Sequence, residues 1–310
     1  MRKQVVLCGM SGLLWGLVSG LVSGFWSVSA QAAEPHVAET ISRILQSKRA
    51  LEQSPTCKRG CVFVSAWDFD GTILQGDASE GLMSNGQTVY AGLAQRAIEA
   101  GFSKIYSKQE FLKFWHDYEE MDKTQGHIPA YTYLPKMLKG SSAAEVKRFA
   151  GQYYAETLKP YYFAASVEVF AKLRESGIIP YVISAAPHVF VSAAGPTLSI
   201  DEQHIFGIEV AVSQEGLLTD QVVQPVPYAD GKAKRLAMIV SAEQARSKQP
   251  VFVLAAFGNS YHTDSAFLKW TLAQKFPAGR PTAVMINGGT APKELAGAFI
   301  EVSQKETLKK

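Results

Sequence analysis

Cysteine is scarce in this sequence: three occur in 310 residues, which excludes a small scaffold held together by many disulfides. A strong excess of charge is also missing, since 31 basic and 28 acidic residues leave a formal net charge of +3. No stripe of lysine and arginine stands out, so the sequence does not indicate nucleic-acid binding. The composition is 47% hydrophobic, which is typical of a globular protein and excludes a disordered or collagen-like chain.

The first 32 residues have the features of a signal peptide. Two basic residues precede an uncharged run over residues 5–30, and residues 30–32, Ala-Gln-Ala, form the small-x-small pattern that signal peptidase reads. We predict cleavage after Ala32 and a periplasmic or secreted mature protein without stable membrane association. The uncharged run is also long enough to cross a bilayer, so an uncleaved anchor is the alternative.

Two cysteines remain after this cleavage, Cys57 and Cys61. In an exported protein, two nearby cysteines usually pair, so we predict a structural disulfide between them. The alternative is a metal or redox pair. Two ligands alone make a poor zinc site, however, and the spacing is not Cys-x-x-Cys.

Apolar runs rich in strand-forming residues alternate with helical patterns along the mature chain. The strand-like runs are residues 62–69, 178–184, 251–257 and 282–286. The helical patterns are residues 36–53, 166–176, 232–246 and 263–274. This alternation predicts an α/β fold with a Rossmann-like parallel sheet and helices on both of its faces. Ligands bind at the carboxyl ends of the strands in such sheets, so chemistry is expected just after these runs.

The segment from residue 78 to residue 163 breaks the alternation, because it contains no clear buried strand and is mostly helical in pattern. Its part from residue 102 onward holds fourteen aromatic residues, which we interpret mainly as the core of a small lobe. We therefore predict an inserted helical cap domain over 78–163. The core domain would comprise residues 33–77 and 164–310.

Two carboxylates follow the first strand-like run. Asp68 and Asp70 stand two residues apart, so one can act as a nucleophile while the other moves protons. Turns also favour Asp and Gly, so a solvent-exposed turn is the alternative explanation of these residues. It explains them less completely, because they directly follow a buried strand.

Further polar residues follow the other strands. The second run ends in the hydroxyl of Ser184, and Lys232 begins a helical pattern where it can place a positive charge near a phosphate. The third run is followed by Asn259 and Asp264, whose side-chain oxygens suit a hard cation such as Mg²⁺.

These residues together resemble the motifs of the haloacid dehalogenase superfamily of phosphohydrolases, in its phosphoserine-phosphatase-like branch. Residues 68–72, Asp-Phe-Asp-Gly-Thr, match the highly specific DxDGT signature of that family. Ser184, Lys232 and the segment from Gly258 to Asp264 match its second, third and fourth motifs. The resemblance covers about residues 62–290, and that branch carries its helical cap between the first and second motifs.

The resemblance implies a role for each matching residue. Asp68 would attack phosphorus and form an aspartyl-phosphate, while Asp70 would protonate the leaving alkoxide and then activate water. Thr72, Ser184 and Lys232 would hold the phosphoryl oxygens. Mg²⁺ would be bound by Asp68, by the main-chain carbonyl of Asp70, and by Asn259, Asp264 or both.

The sequence departs from the family pattern at two places. Asn259 stands where the fourth motif usually has an aspartate, and the gap from it to Asp264 is one residue longer than is common. Which of the two side chains contacts the metal therefore stays open. Ala185 and Ala186 replace two glycines that many phosphoserine phosphatases have, so the resemblance does not establish specificity for phosphoserine.

The substrate is less well indicated by the sequence. Asp77 lies seven residues after Asp70, where phosphoserine phosphatases place an acid for the substrate amine. Aromatic residues of the predicted cap could line a pocket for a cation. They are Trp115, Tyr118, Tyr131 and Tyr133. The alternative interpretation is that Asp77 is a surface or capping acid and that these aromatics only pack.

The sequence thus predicts a Mg²⁺-dependent phosphomonoester hydrolase for a small phosphate ester, with phosphoserine and phosphocholine as examples. A phosphotransferase with the same intermediate and a non-catalytic binding protein are the alternatives. A dehalogenase is disfavoured, since that chemistry does not need the second aspartate. We expect a monomer or a weak dimer.

Overall fold

The computed structural model describes residues 35–309, so the predicted signal peptide and its cleavage site lie outside the described residues. Ten strands occur in this part of the chain. In chain order they are β1 (Val62–Trp67), β2 (Gly81–Ser84), β3 (Gln87–Ala91), β4 (Ile179–Pro187), β5 (Ile205–Ile208), β6 (Val210–Val212), β7 (Leu218–Val222), β8 (Val251–Gly258), β9 (Thr282–Ile286) and β10 (Ile300–Val302).

Six of these strands form one sheet in the order β10-β9-β8-β1-β4-β5. All neighbouring strands in it run parallel. β1 is central, and its last residue, Trp67, pairs with Val182 of β4 and with Phe257 of β8. The chain therefore leaves β1, β4 and β8 at the same edge of the sheet.

Ten α-helices accompany the strands. They are α1 (Pro35–Glu52), α2 (Leu93–Glu99), α3 (Phe111–Gln125), α4 (His127–Lys136), α5 (Ala143–Tyr153), α6 (Ala164–Glu175), α7 (His188–Val191), α8 (Gly195–Leu198), α9 (Asp230–Ser247) and α10 (Ser265–Leu272). The four helical patterns of the sequence correspond to α1, α6, α9 and α10, so these predictions are confirmed.

Both faces of the central sheet are buried, and alternating residues of β1 show this. Val64 and Ala66 belong to one apolar cluster, whereas Phe63 and Trp67 belong to another, because successive side chains of a strand point to opposite faces. Trp67 is fully buried and stacks on Phe257, with ring centroids 3.7 Å apart.

Helices cover the two faces from opposite sides. Leu236 of α9 and Phe267 of α10 pack in the cluster of Val64, whereas Ile44 of α1 and Phe170 of α6 pack in that of Trp67. The predicted fold class, a parallel sheet with helices on both faces, is therefore confirmed.

The sequence did not indicate β5, β10 or the two antiparallel hairpins, β2–β3 and β6–β7. Each of these strands has three to five residues, which is too short for apolar periodicity to distinguish a strand from a loop. The hairpin β2–β3 lies in the segment predicted to be mainly helical, together with α2 to α5. The described residues form one compact unit, so the division into core and cap stays a prediction.

Cys57 and Cys61 form a disulfide between the end of α1 and the start of β1, as predicted. The Cα atoms of the two residues are 5.2 Å apart. Among residues 35–309, no helix combines the length and the hydrophobicity needed to cross a membrane.

Candidate active site

The ends of β1, β4 and β8 and the first turn of α9 surround a cavity of about 160 Å³. This volume lies below the roughly 300–1,000 Å³ common for drug-sized ligands, so the cavity suits a small molecule. Most of the predicted site residues line it. They are Asp68, Asp70, Asp77, Tyr131, Ser184, Lys232 and Asn259.

Lys232 supplies the positive charge of this cavity. Its ammonium Nζ donates to Asp68 Oδ1 at 2.6 Å and to Asp264 Oδ1 at 2.5 Å, and all three side chains are buried. Burial by itself lowers the pKa of Lys232, but the carboxylates of Asp264 and Asp68 outweigh it and raise this pKa. Lys232 is therefore a fixed cation beside the proposed nucleophile.

Asp264 does not line the cavity. Its Oδ1 accepts from Lys232, and its Oδ2 accepts from the main-chain N–H groups of Asn259 at 2.9 Å and Ser260 at 3.0 Å. Both carboxylate oxygens are thus engaged by protein donors. Of the two metal ligands that the sequence left open, the geometry favours Asn259, whereas Asp264 positions Lys232 and the loop after β8.

Asp70 is held by two hydrogen bonds. The main-chain N–H of Ala78 donates to Oδ1 at 2.7 Å, and the hydroxyl of Ser184 donates to Oδ2 at 3.3 Å. Burial, and then the negative charges of Asp77 and Asp68, raise the pKa of Asp70 well above its usual range. A raised pKa favours the protonated form, and a protonated carboxyl group can act as a general acid.

Thr72 lies differently from the prediction. Its hydroxyl donates to Asp68 Oδ2 at 3.3 Å, the residue is fully buried, and it does not line the cavity. The structure thus brings Thr72 onto Asp68 instead of into the space for a phosphoryl group. Ser184 does line the cavity, and its oxygen accepts from the N–H of Ala186 at 3.0 Å.

The turn after Asp70 lies against Asn259. Gly71 has φ +72°, and a Cβ added to it would lie 1.9 Å from the amide of Asn259, so only glycine fits here. One amide atom of Asn259 faces Asp68 Oδ2 at 2.9 Å, the carbonyl oxygen of Asp70 at 3.1 Å and Asp264 Oδ2 at 3.2 Å. With nitrogen in that position the amide donates to all three oxygens, whereas with oxygen in it four acceptors converge.

Converging oxygens also fit a divalent cation. The distances from the Asn259 amide atom to Asp68 Oδ2 and to the carbonyl oxygen of Asp70, 2.9 and 3.1 Å, are those of hydrogen bonds, and two oxygen ligands of one Mg²⁺ lie about as far apart. Burial and the charge of Asp264 raise the pKa of Asp68 to about 7 against the effect of Lys232, so a cation would also keep Asp68 ionised. The described residues contain no group of three or more His, Cys, Asp or Glu side chains suited to a metal. A site here would therefore draw on the carboxylate of Asp68, the carbonyl of Asp70 and the amide of Asn259, with Asp264 Oδ2 lying 3.2 Å from that amide.

Asp77 is one of the acidic residues that line the cavity. Its Oδ1 accepts from the main-chain N–H groups of Ser79 at 2.7 Å and Glu80 at 2.8 Å, so the carboxylate caps a tight turn. Burial raises the pKa of Asp77. Tyr131 of α4 also lines the cavity, and its ring centroid lies 5.2 Å from that of Tyr228.

The other predicted cap aromatics do not line the cavity. Tyr118 and Tyr133 stack on the buried ring of Phe114, with centroids 6.2 and 6.1 Å away, and Trp115 packs on Tyr118 at 5.5 Å. Only the hydroxyl of Tyr118 approaches the site, because it donates to Glu80 Oε1 at 2.8 Å. The packing interpretation thus accounts for these three side chains.

Two polar lining residues outside the family motifs, Ser79 and Glu80, were not indicated by the sequence analysis. They follow Asp77 in a short polar stretch, Asp-Ala-Ser-Glu, which has the composition of an ordinary turn. The turn expected at Asp77 was the sequence feature that could have indicated Ser79 and Glu80, because this turn directs the residues that follow it back towards the cavity.

The sequence profile of the haloacid dehalogenase-like hydrolase family matches residues 66–269, which include the ends of β1, β4 and β8. No curated protein shows significant similarity to the chain.

Several solved structures are similar to this one. A protein of unknown function from Bordetella pertussis Tohama I has 13% identity and a TM-score of 0.58, over 78% of this chain and 98% of that one. A functionally unknown protein from Anaerococcus prevotii DSM 20548 has 14% identity and a TM-score of 0.55, over 89% and 96%. A phospho-aspartyl intermediate analogue of phosphoserine phosphatase has 15% identity and a TM-score of 0.46, over 80% and 96%.

The first two similarities establish the fold alone, and the third is too weak to add to it. The family profile covers about two thirds of the chain, including all four motifs, and the structure brings the residues of those motifs together. The chain therefore belongs to the family of haloacid dehalogenase-like hydrolases.

Proposed function

We propose that this protein is a Mg²⁺-dependent phosphomonoesterase that forms an aspartyl-phosphate on Asp68. One observation carries the proposal: Asp68 and Asp70 meet in one small cavity with Lys232 and Ser184. Phosphoryl transfer needs positioning and neutralisation of charge more than it needs covalent chemistry, and these groups provide both.

The two aspartates have different surroundings, which support different roles. Asp68 has its Oδ1 on Lys232, while its Oδ2 faces the amide of Asn259. Asp68 Oδ2 would help to hold the cation, and Oδ1 would then be the oxygen that attacks phosphorus. The bond between phosphorus and the leaving oxygen breaks, and Asp70 gives its proton to that oxygen.

Water then completes the reaction. Asp70, now ionised, removes a proton from a water molecule that attacks the phosphorus of the aspartyl-phosphate, so that Asp68 is released with inorganic phosphate. Ser184 Oγ and the ammonium of Lys232 are the donors available to the phosphoryl oxygens. Mg²⁺, held by Asp68, the carbonyl of Asp70 and Asn259, would neutralise phosphoryl charge and orient the ester.

The balance of charge supports the need for this cation. The cavity is lined by the carboxyl groups of Asp68, Asp70, Asp77 and Glu80, and Lys232 is the basic residue among its lining. A phosphate dianion entering this site would meet net negative charge. A divalent cation, together with a protonated Asp70, removes most of that repulsion.

For the substrate, we propose a small phosphate ester with an amine-bearing leaving group. Asp77 and Tyr131 line the same cavity, and a carboxylate beside an aromatic ring suits a cationic group. Phosphoserine and phosphocholine are examples of such esters.

We also propose that the protein works outside the cytoplasm, in the periplasm or in the medium. The signal-like residues 1–32 motivate this proposal, and the Cys57–Cys61 disulfide is consistent with an oxidising compartment.

The test is phosphate release from a panel of esters, with Mg²⁺ and with a chelator, by the native protein and by Asp68→Asn. We expect release that needs both Mg²⁺ and Asp68. A second arm adds an alcohol as acceptor, because transfer in preference to hydrolysis would identify a phosphotransferase. Release that survives exhaustive chelation, or that is unchanged in Asp68→Asn, would contradict the proposal.

A further inference from the structure

The buried carbonyl of Thr72 receives two hydrogen bonds from distant parts of the chain. Ser166 Oγ, in the first turn of α6, donates to it at 2.6 Å, and Gln304 Nε2, just after β10, donates to it at 3.1 Å. Gln304 Nε2 also donates to Ser166 Oγ at 2.8 Å, so the three groups form a closed hydrogen-bonded triangle. Each of the three residues is at most 4% exposed. A buried and satisfied network of this kind makes the residues that it joins rigid.

The main chain of Gln304 is fixed by Asn287, the residue that follows β9. The Asn287 amide nitrogen donates to the carbonyl of Gln304 at 2.9 Å, and its amide oxygen accepts from the N–H of Gln304 at 2.9 Å. Beyond Gln304, the chain pairs with the start of α6, because the N–H of Ala164 donates to the carbonyl of Glu306 at 2.9 Å. The Gln304 side chain is therefore presented to Thr72 from a fixed position.

Thr72 connects this network to the proposed nucleophile. It lies four residues after Asp68, and its hydroxyl donates to Asp68 Oδ2 at 3.3 Å. The other carboxylate oxygen, Oδ1, accepts from Lys232 at 2.6 Å. Thr72 and Lys232 therefore hold the carboxylate by its two oxygens. Loss of the Thr72 contact would let the carboxylate rotate about its Cβ–Cγ bond and displace Oδ1, the oxygen proposed to attack phosphorus.

Support from outside the turn matters because the turn itself is permissive. Gly71 has φ +72° between Asp70 and Thr72, and glycine restricts the backbone least of all residues. The direction of Asp68 Oδ1 matters in turn, since a misplacement of ~1 Å at a reacting atom can cost about 10²-fold in rate. The hydrogen bonds to the carbonyl of Thr72 thus act at a position where small movements would reach the reacting oxygen.

We propose that Gln304 is a positioning residue for the reaction. With Ser166 it holds the carbonyl of Thr72, and Thr72 in turn holds Oδ2 of Asp68, so that Oδ1 is directed at phosphorus. The inference rests on the proposed phosphomonoesterase function, and it adds a residue that is 232 positions from Thr72 and outside the four motifs. Gln304 does not line the cavity, so it would affect the rate of attack and not the binding of the ester.

A double-mutant cycle between Gln304 and Thr72 tests the proposal. Gln304→Met keeps the approximate volume of the side chain and removes its hydrogen bonds, while Thr72→Val removes the hydroxyl that reaches Asp68. We would measure kcat/KM for p-nitrophenyl phosphate with Mg²⁺, which includes the attack by Asp68. The inhibition constant for inorganic phosphate reports binding alone, and thermal unfolding gives the temperatures at which each variant is folded.

Ser166→Ala provides a second variant, and Ser47→Ala is its matched control. Ser47 is also buried, and its hydroxyl donates to a distant carbonyl, that of Arg280, at 2.8 Å. This bond lies just before β9, at the opposite edge of the sheet from the cavity. Ser47→Ala therefore removes a comparable hydrogen bond without disturbing the support of Thr72.

We expect Gln304→Met to lower kcat/KM by about tenfold to a hundredfold, while the inhibition constant for phosphate stays unchanged. In the Thr72→Val background the same substitution should have little further effect, because the hydroxyl through which Gln304 acts is already missing. Ser166→Ala should behave like Gln304→Met in this cycle, and it takes the place of that variant if Gln304→Met does not fold. Ser47→Ala should keep the native kcat/KM.

Other results would overturn the inference. Native kcat/KM in Gln304→Met, or losses that simply add in the cycle, would show that Gln304 does not act through Thr72. An equal fall in Ser47→Ala, or weaker phosphate binding that accounts for the fall in kcat/KM, would assign Gln304 a general structural role. Absence of Asp68-dependent hydrolysis of any phosphate ester by the native protein would overturn the proposed function, and this inference with it.

Discussion

Lys232 and Asp264 form a fully buried ion pair, with Lys232 Nζ 2.5 Å from Asp264 Oδ1. Lys232 touches Asp68 as well, so it is held between a carboxylate that lines the cavity and one that does not. Asp264 also accepts from the N–H groups that follow β8. The side chain of Asp264 thus fixes both the position of the Lys232 ammonium and the path of the loop that carries Asn259.

The first prediction concerns Asp264→Asn. Asp264→Asn should lower the free energy of unfolding by about 1–3 kcal/mol, because buried Lys232 loses one of its two charged partners while Asp68 still compensates its charge. Activity should fall too, since Lys232 would then be drawn to Asp68 alone. Urea unfolding and phosphate release measure the two effects.

Asp230→Asn is the matched control for this variant. Asp230 is an exposed acid in the first turn of the same helix, α9, so its loss should change stability by less than about 1 kcal/mol. Equal stabilities of the two variants would show that the buried pair does not have the role described here.

The second prediction separates the two aspartates. Asp68→Asn should abolish turnover of every ester, because a neutral amide replaces the anionic nucleophile. Asp70→Asn should lose about 10²–10⁴ in rate on esters with poor leaving groups, since proton transfer is lost. It should be partly spared on activated esters such as p-nitrophenyl phosphate, whose leaving group needs little protonation.

The dependence of rate on leaving-group pKa measures this difference. The dependence should be steeper in Asp70→Asn than in the native protein. Parallel dependences in the two proteins would argue against Asp70 as the acid. Normal activity of Asp68→Asn, once contaminating phosphatases are excluded, would end the aspartyl-phosphate mechanism for this protein.

The third prediction concerns Asn259→Asp and does not depend on activity. Without metal, the new carboxylate would face Asp68 Oδ2 and the carbonyl of Asp70, where the native amide can donate, so the melting temperature should fall. With Mg²⁺ the same carboxylate adds a charged ligand. The variant should therefore bind Mg²⁺ more tightly than the native protein.

Thermal unfolding over a Mg²⁺ titration gives both quantities. Asn259→Ala serves as control, because it removes the amide without adding charge and should weaken Mg²⁺ binding. If all three proteins give the same titration, Asn259 is not a metal ligand.

The fourth prediction concerns export. Expressed in a Gram-negative host, the periplasmic protein should begin at Ala33 and should contain the Cys57–Cys61 disulfide. Intact mass under non-reducing conditions checks both features at once. A mass that retains residues 1–32 would instead favour the uncleaved anchor, and two free thiols would contradict the pairing.

Local patterns in the sequence were enough to predict the long strands of the central sheet and the main helices that cover it. The long apolar runs became β1, β4, β8 and β9, because strands buried on both faces are hydrophobic throughout and need no periodicity to be found. The short strand β10 was missed, since three residues carry too little pattern. Asp68, Ser184 and Asn259 could be placed together because parallel strands end at one edge of the sheet.

Tertiary structure alone decided what each side chain faces. The sequence places Asp264 among oxygen ligands and Thr72 near the phosphate, but both side chains are turned to protein partners, Lys232 and Asp68. These directions depend on packing between elements far apart in the chain, which local patterns do not encode. Ser79 shows the same limit. In the sequence it is an ordinary serine in a polar turn. Only the folded structure shows that this residue lines the cavity and that its hydroxyl has no protein partner among the described residues.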